Sequence, residues 1–229
     1  MDIQIFQLIE GAKQATGLAV IIDVFRAFTV ECYLTKNGAA RLLAVGDKEI
    51  AYEYKKKDPA CVLIGEREGK KLPGFDHGNS PSEVERVDFS GKTVVHTTSA
   101  GTQGVDNARN ADEIITGSLA NARAVAEYIR RGKYEHVSLV CMGLGGKEPT
   151  DEDTLCARYI KSLLENAPMD LAAECEKLRY TSGSKFFDPA QQAVFPEADF
   201  HLCCRADSFS FVLRAEKQDD GYLMKRIDI

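Results

Sequence analysis

Seven short apolar runs, rich in β-branched residues, recur along the chain: IQIFQL (3–8), LAVIIDV (18–24), RLLAV (41–45), CVLIG (61–65), TVVHTT (93–98), EIITG (113–117) and HVSLVCM (136–142). Most lack polar alternation. A strand wetted on one face alternates, so these runs read as strands buried on both faces, as in a parallel sheet covered by helices. The intervening segments 26–37, 47–57, 100–109, 119–131 and 151–166 carry helical spacing, with Gly38 and Gly132 as stops. The resulting rhythm predicts an α/β layered fold with six or more strands.

Two regions break the rhythm. Residues 65–83, GEREGKKLPGFDHGNSPSE, form a polar loop longer than a plain connection needs. Beyond residue 180, FHLCC, FSFVL and YLMKRI predict a strand-rich closing lobe. A chain of 229 residues suits one domain over 1–229, or two intimate lobes over about 1–165 and 166–229.

The net charge of −6, with no basic face in view, argues against a nucleic-acid partner. It also repels anions at long range, so an anionic ligand must be met by local cations or a metal. The seven cysteines are odd in number and several sit in apolar runs, which predicts reduced thiols and a cytoplasmic setting. The start, MDIQIFQLIEGAK, lacks the basic and apolar regions of a secretory signal. No run approaches the roughly 18 apolar residues of a membrane helix, so no membrane partner is expected.

Ligands of open α/β sheets bind beyond the carboxyl ends of the strands. Those ends carry Asp23 and Arg26; Glu66 and Arg67; Thr97, Thr98, Ser99, Gly101 and Thr102; Ser118 and Asn121; and, after GLGG, Asp151, Glu152 and Asp153. Guanidinium forks match phosphate oxygens, hydroxyls add donors, and carboxylates hold magnesium. Each piece also has a plainer reading. Asp23 suits a helix cap. TTSAGTQG suits a strand-to-helix turn. Residues 150–153 have capping-box spacing and complement a helix dipole.

Several signatures are absent. Asp23 is followed by Val24 and Phe25, so an Asp-x-Asp phosphatase pair is missing, and neither a P-loop nor a dinucleotide fingerprint occurs. Cys61 and Arg67 have C-x5-R spacing, but Val62, Leu63 and Ile64 between them read as a buried strand and not as a phosphate-binding turn. His77 is placed to exchange a proton, whereas His96, inside a strand, reads as a satisfied core histidine.

DVFRAFTV (23–30), GEREGKKLPGFDHGNSPSE (65–83), TTSAGT (97–102), SLANARAVA (118–126) and VCMGLGGKEPTDEDTLCARYI (140–160) resemble, in the same order, the motifs of the 2-phosphosulfolactate phosphatase family. The likeness covers about residues 20–160. It departs at Phe25, Phe28, Ser99, Ala100 and Arg158, and it fades over the last fifty residues. It implies a three-layer α/β/α fold with a mostly parallel sheet, and hydrolysis of 2-phospho-3-sulfolactate with Mg2+ on a route to coenzyme M.

The resemblance further implies a site. Asp23 with Glu152 or Asp153 would hold the metal. Arg26 and Arg67 would neutralise the phosphoryl group, and Glu66 would act as base. The turn Thr97, Thr98, Ser99, Gly101 and Thr102, with Asn79, Ser80 and Asn121, would bind the small anionic substrate. Two other readings stand beside this one: a phosphatase for another phosphorylated hydroxy acid, and a binder of an anionic metabolite without turnover. A homo-oligomer is left open.

Overall fold

The computed structural model describes residues 1–229. All seven expected strands form: β1 (Asp2–Gln7), β2 (Leu18–Ile22), β3 (Arg41–Ala44), β4 (Val62–Arg67), β6 (Thr93–Thr97), β7 (Glu113–Gly117) and β8 (His136–Cys141). A two-residue strand β5 (Lys70–Lys71) and the hairpin β9 (Phe211–Gln218) and β10 (Gly221–Asp228) complete one ten-stranded sheet, ordered β1-β8-β2-β7-β9-β10-β3-β6-β4-β5. β1, β8, β2 and β7 are mutually parallel, as are β3, β6 and β4. The hairpin pairs antiparallel with both groups, through β7 and β3. The expected C-terminal strands therefore lie at the centre of the sheet and splice its two halves.

The five expected helices are α2 (Ala27–Lys36), α3 (Lys48–Lys57), α5 (Gly101–Asn107), α6 (Ala122–Gly132) and α7 (Asp151–Glu165). Four more are α1 (Leu8–Gln14), α4 (Pro81–Val84), α8 (Leu171–Leu178) and α9 (Glu197–Cys203). Two local expectations are corrected. FHLCC falls largely in α9, where Pro196 precedes acidic Glu197 and Asp199 in a first turn that favours helix over strand. The left-handed residue ending α6 is Lys133 (φ 53) and not Gly132, which instead gives the Tyr134 ring room.

The missing alternation has a direct cause. Along β2, Ala19 and Ile21 enter one apolar cluster with α1, α2 and α5, while Leu18, Val20 and Ile22 enter another with α6, α7, α8 and α9. Both faces are covered, so every position is apolar, and the layers are α/β/α. A third cluster joins Leu43, Val45, Leu63 and Val95 to Ala51 of α3.

The halves also exchange helices. α5, which follows β6, packs on α1 and β2, whereas α2, which follows β2, packs on α4 and β3. This crossing brings the starts of α2 and α5 together.

Candidate active site

Asp23 follows β2 and is buried, with Oδ1 accepting the Ala27 amide at 3.2 Å and Oδ2 making no hydrogen bond. It therefore caps α2 in part and keeps one oxygen free. Burial pushes its carboxyl up to about 7 against the pull of that amide, and the nearby Glu66 and Glu152 charges add to the rise. Asp153, in the first turn of α7, accepts the Val24 amide on Oδ1 and the Gly143 amide on Oδ2, each at 2.8 Å. It ties the β2 and β8 ends together. Burial, then the Glu152 and Asp23 charges, raise it well above the carboxylate range.

Glu152 is buried beside them, and burial raises its carboxyl as well. Its Oε2 has no hydrogen-bond partner, nor do the buried hydroxyls of Thr150 and Ser182. Burial raises all three carboxyls and the Glu152 charge raises both aspartates further, an electrostatic setting that a hard divalent cation relieves. No three acidic, His or Cys side chains converge as a ready-made ligand set. Magnesium typically takes one or two carboxylates and retains waters. The free oxygens of Asp23 and Glu152 fit that demand, whereas Asp153 is held by backbone on both sides.

Lys185 faces this cluster, and Arg26 stands near Lys185 at the same Phe195 ring. Arg26 is buried just before α2. Its Nη1 donates to Asp199 Oδ2 and to the Val194 carbonyl, each at 2.8 Å, and its Cζ lies 4.9 Å from the Phe195 ring centroid. Asp199 Oδ1 in turn accepts Ser80 Oγ at 2.8 Å, the Ser82 amide at 2.9 Å and Ser82 Oγ at 2.6 Å. Lys185 lies in a 3-10 turn over Ser184–Phe187, its ammonium 5.2 Å from the Phe195 centroid. Burial lowers its pKa, the Glu152 charge opposes this, and the Arg26 charge adds to it. Neither Asp199 nor Lys185 was legible as a site residue. Arg26, Asn79 and Ser80 line one cavity of about 370 Å³, together with Lys70 and Lys71.

The other expected residues fall into three groups. Glu66 faces Asp23 from the end of β4, but both its oxygens are engaged. Oε1 accepts the Ser99 amide at 2.7 Å, and Oε2 accepts the Gly69 amide at 2.6 Å and Ser99 Oγ at 3.2 Å. Thr98 and Thr102 bond reciprocally, amide to hydroxyl, at 2.9 and 3.2 Å, which closes the turn. Gly101 is required there, since a Cβ would stand 2.9 Å from both Asp23 Oδ2 and the Ala27 methyl.

Arg67 turns the other way. It donates to Thr97 Oγ1 at 3.0 Å and to the Gly46 carbonyl at 3.1 Å, outside the Arg26 cavity. Asn121 is buried beneath β9. Its Oδ1 accepts the Ser118 amide, and its Nδ2 reaches the Thr116 and Phe211 carbonyls at 3.5 and 3.4 Å. Its amide holds the hairpin to the sheet. His77 pairs with Glu83 at 3.3 Å, His96 is buried and partnered, and the Cys61 thiol is pushed up to about 11 by burial, as suits an inert core sulfur. All seven cysteines are free. No helix is long and apolar enough to cross a membrane.

The chain is similar to proteins described as 2-phosphosulfolactate phosphatases. The family described as 2-phosphosulpholactate phosphatase matches residues 3–218. A probable 2-phosphosulfolactate phosphatase of Caldicellulosiruptor saccharolyticus is 35% identical over 206 residues, covering 82% of this chain and 85% of its own. One from Bacillus subtilis is 29% identical over the full length of both chains. One from Thermoplasma acidophilum is 32% identical over 84% of this chain and 83% of its own. The matched span takes in Asp23, Arg26, Glu66, Glu152, Asp153, Lys185 and Asp199, and the chain belongs to the 2-phosphosulpholactate phosphatase family, a family of phosphoric monoester hydrolases.

Proposed function

We propose that this enzyme hydrolyses 2-phospho-3-sulfolactate to 3-sulfolactate and phosphate, with Mg2+ held by Asp23 and Glu152. The observation that carries this reading is a buried carboxylate cluster with Lys185 against it and Arg26, next to Lys185, lining the cavity, within a chain of net charge −6. A substrate with phosphate, sulfonate and carboxylate groups needs such local neutralisation.

When bound, the cation supplies Lewis acidity toward the phosphoryl oxygens and lowers the pKa of water. The protein's own part is positioning and charge. Asp199 and the Val194 carbonyl hold the Arg26 fork at one angle, so it meets the phosphoryl oxygens with little reorganisation. Lys185 balances the charge of Glu152, Asp23 and Asp153. Asp153 fixes the loops at Val24 and Gly143. Glu66, with its oxygens held by Ser99 and Gly69, keeps the turn after β6 against the site and is reassigned from base to positioning. Asn79 offers its amide to the acid end of the substrate and Ser80 holds Asp199 at the cavity wall, while Arg67 and Thr97 brace the β4 and β6 ends.

The test is phosphate release from a panel containing 2-phosphosulfolactate, 2-phospholactate, 2-phosphoglycerate and phosphoserine, with magnesium and with chelator. Turnover highest on the sulfonated substrate and abolished by chelator is expected. Preference for a non-sulfonated acid would replace the substrate, and chelator-resistant turnover would remove the metal.

A further inference from the structure

Behind the cavity wall, side chains from three separate elements form a line. Glu31 of α2 and His96 of β6 are both fully buried, and Glu31 Oε1 lies 3.0 Å from His96 Nδ1. The other ring nitrogen, Nε2, lies 3.2 Å from Asn79 Oδ1. Asn79 lines the cavity beside Arg26 and Ser80, and no hydrogen bond uses its Nδ2. Nearby positions in this layer, such as Ala44, Ile64 and Val94, are apolar. A carboxylate and an imidazole among them cost free energy unless paired, so packing alone does not account for them.

We propose that the Glu31–His96 pair is a positioning device that fixes the Asn79 amide with its NH2 toward an anionic group of the substrate. The ring faces a carboxyl group on one side and an amide oxygen on the other, and the wiring puts one hydrogen on Nε2 and another between Nδ1 and Glu31. Nε2–H takes Asn79 Oδ1. The amide is planar, so Nδ2 is turned away from the ring and donates to a phosphate, sulfonate or carboxylate oxygen. A bare Nε2 would reverse the amide and present its oxygen, which repels an anion. His96 touches no substrate and acts only through Asn79. The kinetic part of this inference rests on the proposed phosphatase reading, but the hydrogen-bond wiring does not.

Long-range 1H–15N correlation on the full-length protein, labelled at histidine, reads the wiring without turnover. A hydrogen on His96 Nε2 is expected, and a bare Nε2 overturns the proposal. In kinetics, Asn79→Ala should raise KM for 2-phosphosulfolactate about tenfold to a hundredfold, the range for one lost hydrogen bond to a charged group. His96→Gln, which keeps an N–H near the Nε2 position, should stay near wild type. His96→Leu should match Asn79→Ala, and the double variant should be no worse than either. Additive effects, or an unchanged KM in His96→Leu, also overturn the device. If His96→Leu does not fold, the spectrum still decides. If the wild-type protein releases no phosphate, the functional reading fails separately while the spectrum continues to test the wiring.

Discussion

The Arg26 guanidinium and the Asp199 carboxylate lie 2.8 Å apart with 3% and 0% of their side chains exposed, joining the start of α2 to α9 across 173 residues of sequence. A pair this buried is sustained by its further bonds, here from Ser80, Ser82 and the Val194 carbonyl. Removing one partner leaves a lone buried charge, which costs roughly 3–5 kcal/mol. Asp199→Ala should therefore lower the urea midpoint strongly. Adding Arg26→Met should restore much of the stability and none of the turnover, as read by denaturation and phosphate release side by side.

Gly101 marks where α5 meets α2. Alanine there drives a methyl against Asp23 Oδ2 and Ala27. Overpacking of this kind costs about 1–3 kcal/mol. The larger effect should fall on kcat, by about tenfold or more, since a small displacement of a reacting geometry is felt strongly. Equal kcat in Gly101→Ala and wild type would detach this contact from catalysis.

Lys185 is the cation that neutralises the cluster from the tail of the chain. Lys185→Met keeps the apolar stem against Phe186 and Phe195 and removes the charge. Loss of one charge-assisted contact should raise KM by about tenfold to a hundredfold. An unchanged KM would move the substrate away from this residue.

Asp23 predicts a pH signature in metal-free protein. Its folded pKa, about 7, exceeds its ordinary value of 3.8, so the folded state holds the extra proton between those limits. Stability is then full below about pH 4 and declines as pH rises through 7, by on the order of a few kcal/mol at 1.36 kcal/mol per unit. Asp153 and Glu152, also raised, act in the same direction. Asp23→Asn should flatten the decline, and Mg2+ should offset it in the wild-type protein. Chemical denaturation across pH 4 to 8 measures both.

What could be read in advance depended on how local each cause is. The β2 run is apolar at every position because both faces are covered, so the layered fold was visible before any coordinate. Asp23, Glu66, Glu152 and Asp153 stand beside strand ends, and their grouping follows from the sheet. Asn121 stands at a strand end too, yet its amide serves the Thr116 and Phe211 carbonyls. That need arises only because β9, from the far end of the chain, inserts next to β7. Lys185 and Asp199 had no such address. They sit in a 3-10 turn and a short helix whose positions are set by docking of the tail, and the aromatic run FHLCC beside Asp199 masked the helix start at Pro196 and Glu197.

Phosphate release from 2-phosphosulfolactate by the wild-type protein and by Asp23→Asn, both in Mg2+ at neutral pH, tests the central claim most directly. The account predicts turnover in the first, abolished by chelator and restored by magnesium, and a loss of about a thousandfold or more in the second, of the order expected when charge stabilisation of the reacting group is removed. Equal rates in the two proteins, or no release by the wild type, would contradict it.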